Sequence, residues 1–436
     1  MEEKLITVEE ALEKIKSNDV IVSAMAASEP KEILKSLHHI ADKVKDVTIC
    51  NCLPFENAEY FTNEKYKNSF KIDSWFYSGS MRKAVSNGNI SFIPNHLHLV
   101  AVKRLAHKKP NIFIGTASMP DKHGYVSLSL SNVFEKRMIE AADTVILEIN
   151  PNYPRTFGDL ELHISNIDYM IETNYEAPQL HDTPINEKDE VIGNLIANYI
   201  NDGDCIQLGI GGIPNAVAAS LKDKKDLGIH TEMFTTGIMN LIKCGAATGN
   251  KKQINKGKHI ATFALGTREL YDFIDNNPSI QLMDGNWVND PYTIAQNDNQ
   301  ISINTTIEID FTGQCASESI GHIQYSGTGG QADTAKGAFK SKNGKSFIAL
   351  YSTAFVTNKE TGEKEEISKI VPFLKQGAIV SLSRNDVDIV VTEYGVANLR
   401  GTNTTERALA LINIAHPKFR EQLKIEATKI GLIYEE

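Results

Sequence analysis

Apolar residues recur along this chain with two alternating periods. Val8, Ala11, Leu12 and Ile15 fall on one helical face, and Thr7 and Glu10 have the spacing of a capping box before them. The turn Ser17-Asn18-Asp19 leads into a short apolar run, Val20-Ile21-Val22, which reads as a strand. Pro30 opens a second helix with the stripe Ile33, Leu34, Leu37, Ile40 and Ala41, and Val47 to Asn51 reads as the next strand. The same order returns from Glu187. Val191, Ile192, Leu195, Ile196, Tyr199 and Ile200 form a helical stripe, Asn201 to Asp204 a turn, and Cys205 to Leu208 a strand. A glycine loop follows, then a helix with Pro214 at its first position, and a return strand from Gly228 to Met233 that contains Glu232. This echo predicts an α/β fold of two open α/β domains of similar topology, residues 1–180 and 181–436. A polar segment from Glu176 to Lys188, interrupted by Pro178 and Pro184, joins them.

Other runs fill in each half. Ile112 to Ile114, Val126 to Leu130 and Thr144 to Glu148 are strands of the first. In the second, Ile301, Ile303, Ile307, Ile309 and Phe311 alternate with other residues as one half-buried strand. Ser346 to Tyr351, Ala378 to Leu382 and Val387 to Thr392 are further strands, and Glu406 to Ala415 is a helix.

Composition narrows the function classes. The chain has 436 residues, 41% hydrophobic and 23% charged, the balance of a soluble globular protein. Its formal net charge of -10 argues against a general nucleic-acid binder. No apolar run approaches the ~20 residues of a membrane helix, so no membrane partner is expected. Five scattered cysteines form no disulfide framework, and a cytoplasmic location is expected.

The candidate chemistry gathers between Cys205 and Gly237. A right-handed strand–helix–strand crossover makes the two strands parallel and brings their carboxyl ends to one sheet edge, where ligands of open α/β folds sit. Glu232 then lies beside the backbone amides of Gly209-Ile210-Gly211-Gly212-Ile213, and a carboxylate near amide donors suits acyl transfer. Neither glycine run is a good nucleotide fingerprint. The first has Pro214 where a third glycine belongs, and the second, Gly327 to Ala332, lacks an acidic residue about 20 positions on. Glu148 and Glu393 compete with Glu232, since each stands at the end of a strand, but neither follows a glycine loop. Cys50 with Cys52 and His96 with His98 are pairs without further ligands, and no metal is expected. Lys222, Lys224 and Lys225 are either a solvated helix end or a phosphate contact.

Four motifs in order carry a resemblance: Gly209 to Pro214, Gly228-Ile229-His230-Thr231-Glu232-Met233, Ser326 to Asp333, and Thr392 to Gly401. With them the chain resembles the acetyl-CoA hydrolase/transferase family over nearly its whole length. The resemblance implies the CoA-transferase superfamily fold, with the active site in the cleft between the two domains. It implies that Glu232 is the nucleophile, that Gly209, Ile210, Gly211, Gly212 and Ile213 line the CoA thioester, and that Ile307 and Gly330 contact CoA. The implied activity moves CoA between a short-chain acyl-CoA (acetyl, butyryl or 4-hydroxybutyryl) and a short-chain carboxylate through a glutamyl-CoA thioester. Coenzyme A is then a substrate, no cofactor is needed, and a homodimer is expected. An acetyl-CoA hydrolase, with water as acceptor, and a non-catalytic CoA- or nucleotide-binding module are the alternatives. Two departures bear on the acyl pocket. Asp333-Thr334 stands where the family more often has Asp-Phe, and Met25-Ala26-Ala27-Ser28 stands where 4-hydroxybutyrate enzymes carry a histidine.

Overall fold

A computed structural model of the chain describes residues 2–357 and 362–434. Its first half is built on seven strands: β1 (Val20–Ser23), β2 (Val47–Asn51), β3 (Phe70–Ser74), β4 (Ile90–Phe92), β5 (Ile112–Ala117), β6 (Thr144–Ile149) and β7 (Tyr169–Glu172). They form one sheet in the order β7-β6-β5-β1-β2-β3-β4, with every pairing parallel. A parallel sheet is covered on both faces, so its strands read as continuous apolar runs rather than as alternation. Val20-Ile21-Val22 obeys this. Ile21 packs on one face with Ile33 and Leu34 of helix α1 (Lys31–Ser36), while Val20 and Val22 enter the core on the other.

The second half carries β8 (Cys205–Leu208), β9 (Gly228–Ile229), β10 (Gln300–Thr305), β11 (Lys345–Ala349), β12 (Ile389–Thr392) and β13 (Gly395–Asn398). Their order is β9-β8-β10-β11-β12-β13, parallel except for the last hairpin. The predicted echo is visible here: β1 and β8 each pair with the strand that follows the next helix. One hydrophobic core is shared, because the cluster holding Val22, Trp75 and Leu97 also holds Leu208, Met233 and Phe263.

Several elements depart from the sequence reading. The alternating run from Ile301 breaks at Thr306-Ile307 into β10 and a separate strand, Glu308–Asp310, of another sheet. The first piece is a central strand with Ser302 fully buried, so the alternation did not mark a wet face. Ala378 to Leu382 forms no strand; Leu382 makes only an isolated bridge to Cys315. The capping box at Thr7 and Glu10 is present, but its helix is a single turn, Val8–Leu12. Pro214 is the third residue, not the first, of helix α3 (Gly212–Ser220), a position that also needs no backbone donor, so proline's missing N–H costs nothing there. The preceding helix of this half is α2 (Glu187–Ala197), opened by a capping box between Asn186 and Asp189.

The carboxyl edges of both sheets face a single cavity. Residues that follow β1, β2 and β3 (Met25, Cys52, Leu53 and Phe76) line it from one side. Gly209 and Ile210 after β8, and Thr305 at the end of β10, line it from the other.

Candidate active site

Glu232 is not inside a strand, as the sequence reading had it. After β9, His230 bridges to Ile260, and Glu232 sits at a bend before the two-residue strand Met233–Phe234. Its main chain is fixed there, because the carbonyl accepts from the N–H groups of Thr262 (2.9 Å) and Phe263 (3.2 Å). The side chain is half-buried and turns into the 260 Å³ cavity. Asn289, just past helix α4 (Gly285–Val288), donates its amide to Glu232 Oε2 at 2.9 Å. Helix α5 (Gln331–Lys340) points its amino end at the same carboxylate, and the Gly330 N–H donates to it.

These surroundings set the protonation of Glu232. Burial pushes its carboxyl up to about 7, the charge of Asp333 adds to this, and the Asn289 and Gly330 donors work against it. A carboxylate of that kind is ionised in a large fraction of molecules at neutral pH while being poorly solvated, which favours nucleophilic attack. Among the described residues that line the cavity, Glu232 is the only charged one.

Gly330 owes its identity to this packing. A Cβ there would lie 1.7 Å from Glu232 Oε2 and 2.3 Å from Asn289 Nδ2. Gly327 is constrained from the opposite half, with a Cβ position 2.3 Å from the Trp75 carbonyl oxygen. The first glycine loop is constrained differently. Gly211 has φ +113° with open space at its Cβ position, so conformation selects it. Gly212 meets the buried Asp189 carboxylate at 2.3 Å, so packing of α3 on α2 selects it. Glu232, Gly209, Ile210 and Gly330 therefore meet at the cavity, whereas Gly211, Gly212, Ile213 and Ile307 do not line it. Ile213 is core, and Ile307 hydrogen-bonds through its backbone to Ala316.

The competing carboxylates are occupied elsewhere. Glu148 is fully buried, accepts from the Tyr175 hydroxyl and the Ile33 N–H, and burial raises it to about 7. Glu393 accepts from the Ser352 N–H and hydroxyl and pairs with Lys188 at 2.9 Å. Neither lines the cavity. His96 and His98, a pair without a further ligand in the sequence reading, converge on the buried Asp333. His98 Nδ1 lies 2.8 Å from Asp333 Oδ1, and the His98 N–H donates to its other oxygen at 3.1 Å. Asn286, on the helix that leads to Asn289, donates to the His98 carbonyl at 2.7 Å. Residues the sequence reading missed include Asn289, Gln207, Asn304 and Gln331, all amides without a motif of their own apart from Gln331 in the second glycine run. The first-half wall is held by buried carboxyl groups: Glu135 accepts from the Met25 N–H, and Glu29 from the Phe55 and Glu56 N–H groups. Lys222 lines a different groove, on the outer side of α3. Among the described residues no group of three or more His, Cys, Asp or Glu side chains is placed to hold a metal ion, and no helix is long and apolar enough to cross a membrane.

Two mainly parallel sheets present their carboxyl edges to one cavity in which, among the described residues, Glu232 is the single carboxylate, the arrangement of a two-sheet α/β enzyme. The chain belongs to the acetyl-CoA hydrolase/transferase family: residues 1–178 match the N-terminal domain of that name and residues 266–427 the C-terminal domain. It is 42% identical to the 4-hydroxybutyrate coenzyme A transferase of Clostridium kluyveri, over 98% of each chain. It is also 42% identical to the succinyl-CoA:cyclohexane-1-carboxylate CoA transferase of Geobacter metallireducens, over 99% of this chain and 96% of that one. The crystal structure of RipA from Yersinia pestis superposes with a TM-score of 0.92 at 36% identity, covering 99% of this chain and 98% of that one.

Proposed function

We propose that this protein transfers CoA from a short-chain acyl-CoA to a short-chain carboxylate, with Glu232 as the nucleophile. The observation that carries the reading is Glu232 itself, the single charge among the described residues of the cavity wall and braced by the Asn289 amide and the head of α5. One Glu232 oxygen attacks the thioester carbonyl, the C–S bond breaks, and an acyl-glutamyl anhydride and CoA thiolate form. The thiolate then attacks the glutamyl carbonyl and expels the first carboxylate, leaving a glutamyl-CoA thioester. A second carboxylate runs both steps in reverse. Each step passes through an oxyanion, and this reading assigns its stabilisation to backbone N–H groups of the Gly209-Ile210 loop; losing one such donor costs about 2.7–4 kcal/mol of barrier. The apolar wall of Met25, Leu53, Phe76, Leu97 and Phe263 excludes water, which would hydrolyse both intermediates.

The division at residues 180 and 181, a cytoplasmic location, a homodimer and the absence of any cofactor besides CoA as substrate belong to the same reading. The family match ending at residue 178 supports the first of these, and light scattering tests the dimer. For the chemistry, the enzyme is incubated with acyl-CoA without acceptor and then treated with borohydride. A glutamyl-CoA thioester is reduced to an alcohol, so the peptide carrying His230 to Met233 loses mass at Glu232 and activity falls in proportion. An unmodified peptide under conditions of fast transfer refutes the covalent route. Release of CoA that is indifferent to added acetate or butyrate makes the enzyme a hydrolase.

A further inference from the structure

Two glutamines on the cavity wall have orientations dictated by backbone groups. Gln207, in β8, is buried, and its Oε1 accepts the Ile303 N–H at 3.1 Å. A backbone N–H can be paired only by an acceptor, so the oxygen must stand there and Nε2 is left as a donor. Gln331, at the head of α5, donates Nε2 to the Thr305 carbonyl at 2.9 Å. A carbonyl needs a donor, so Gln331 Oε1 is the atom left over, and it is buried without a partner. Both residues line the cavity.

A hydroxyl relay lies beneath them and reaches the Gln207 side chain and the Gln331 main chain. The Ser302 hydroxyl donates to Gln207 Oε1 at 3.1 Å. Asn304 Nδ2 donates to both Ser302 Oγ (2.9 Å) and Thr334 Oγ1 (3.0 Å). The Thr334 hydroxyl donates to the main-chain carbonyl of Gln331 at 3.3 Å. Ser302 Oγ also lies 3.0 Å from Thr334 Oγ1, so its one proton has two acceptors, that oxygen and Gln207 Oε1. Thr334 is the residue at which this chain departs from the Asp-Phe pattern, and an aromatic side chain there would remove the relay's hinge.

We propose that Gln207 and Gln331 read a substrate group that both accepts and donates a hydrogen bond. Gln207 Nε2 supplies the donor and Gln331 Oε1 the acceptor; leaving such buried groups unpaired is costly, so a ligand lacking the matching group is disfavoured. Two sources have this chemistry: a hydroxyl on the acyl chain, or the amide of the thiol arm nearest the sulfur. The inference rests on the CoA-transfer reading of the same cavity.

The test compares matched thioesters in wild type and Gln207→Leu, with Gln207→Met and Gln331→Met as alternatives if the first variant is unstable. One arm takes the ratio of kcat/KM for 4-hydroxybutyryl-CoA over butyryl-CoA. The other takes the ratio for butyryl-N-acetylcysteamine over the propanethiol ester of butyrate, which lacks the amide. Wild type is expected to favour the partner with the extra group, and the variants are expected to lower one ratio by about tenfold. Collapse of the first ratio assigns the acyl hydroxyl; collapse of the second assigns the amide. If both ratios hold in every folded variant, whatever happens to Tm, the glutamines are structural and the proposal is overturned. Borohydride trapping of wild-type Glu232 in the same preparations reports on the covalent reading separately, so failure of either idea is recognised on its own.

Discussion

Replacing Gly330 with alanine adds one methyl group at the most crowded point of the site. The built Cβ lies 1.7 Å from Glu232 Oε2 and 2.3 Å from Asn289 Nδ2, and real Cβ contacts essentially never fall below 3.0 Å. The carboxylate must therefore retreat by about 1.3 Å, and the 2.9 Å hydrogen bond from Asn289 cannot survive the move. Gly330 itself has φ −97° and ψ 10°, which alanine adopts freely, so the backbone is not strained by the change. The expected result is a loss of about 10²- to 10³-fold in kcat, since a misplacement near 1 Å costs about that much, with Tm little altered. Steady-state transfer and calorimetry measure the two. Gly329→Ala is the control: its Cβ would sit 3.8 Å from Glu232 Oε1, in ordinary contact, but its φ of +54° costs about 1–2 kcal/mol of stability. That variant should lose Tm and keep most of its kcat. If Gly330→Ala retains kcat within about threefold of wild type, the position of Glu232 is not what the reaction depends on.

Activity should rise with pH through about 7 as Glu232 ionises, and Asp333→Asn should move that limb to lower pH, because the Asp333 charge opposes ionisation of Glu232. A profile of kcat/KM against pH checks both, and an unmoved limb denies Asp333 any influence. Gly211→Ala should lower stability by about 1–2 kcal/mol with little effect on kcat, since its φ is +113° but the residue does not line the cavity; denaturant titration reads the loss. Glu29 is raised to about 8, chiefly by burial, so the folded state holds a proton that the unfolded chain releases between about pH 4.5 and 8. The stability it contributes is full below that window and lost as pH rises through it to 8; Glu29→Gln should flatten the fall of Tm between about pH 4.5 and 8.

The parts of the fold that were legible in sequence share one trait: local spacing decides them. Val20 to Val22, Cys205 to Leu208 and the stripe of α2 follow from periodicity alone. The run from Ile301 to Phe311 misled because alternation cannot report a chain that leaves one sheet for another at Thr306. Ala378 to Leu382 misled because apolar residues were drawn to one bridge at Cys315 rather than to a ladder. Glu232 was legible through the glycine loop before it. Asn289 was not, because it reaches the carboxylate from 57 positions away by the fold of α4, and an isolated asparagine has no signature. The identity of the glycines was legible but the reason was not: Gly212 answers to Asp189 and Gly330 to Glu232, and both are tertiary facts.

The seam at Gly327 has a bearing on recombination between relatives. Its Cβ position lies 2.3 Å from the Trp75 carbonyl and 2.9 Å from the Phe76 Cα, so main chain rests on main chain where the halves meet beside Glu232. The linker between Glu176 and Lys188 offers an obvious crossover point for a chimera. Side chains on either side of the cavity could then be exchanged as cassettes, while the backbone from Trp75 to Phe76 could not move toward Gly327 without unseating the opposite loop. Shuffled libraries should tolerate diversity at Met25, Leu53 and Leu97, and should lose members wherever an insertion or deletion falls between Ser74 and Tyr77.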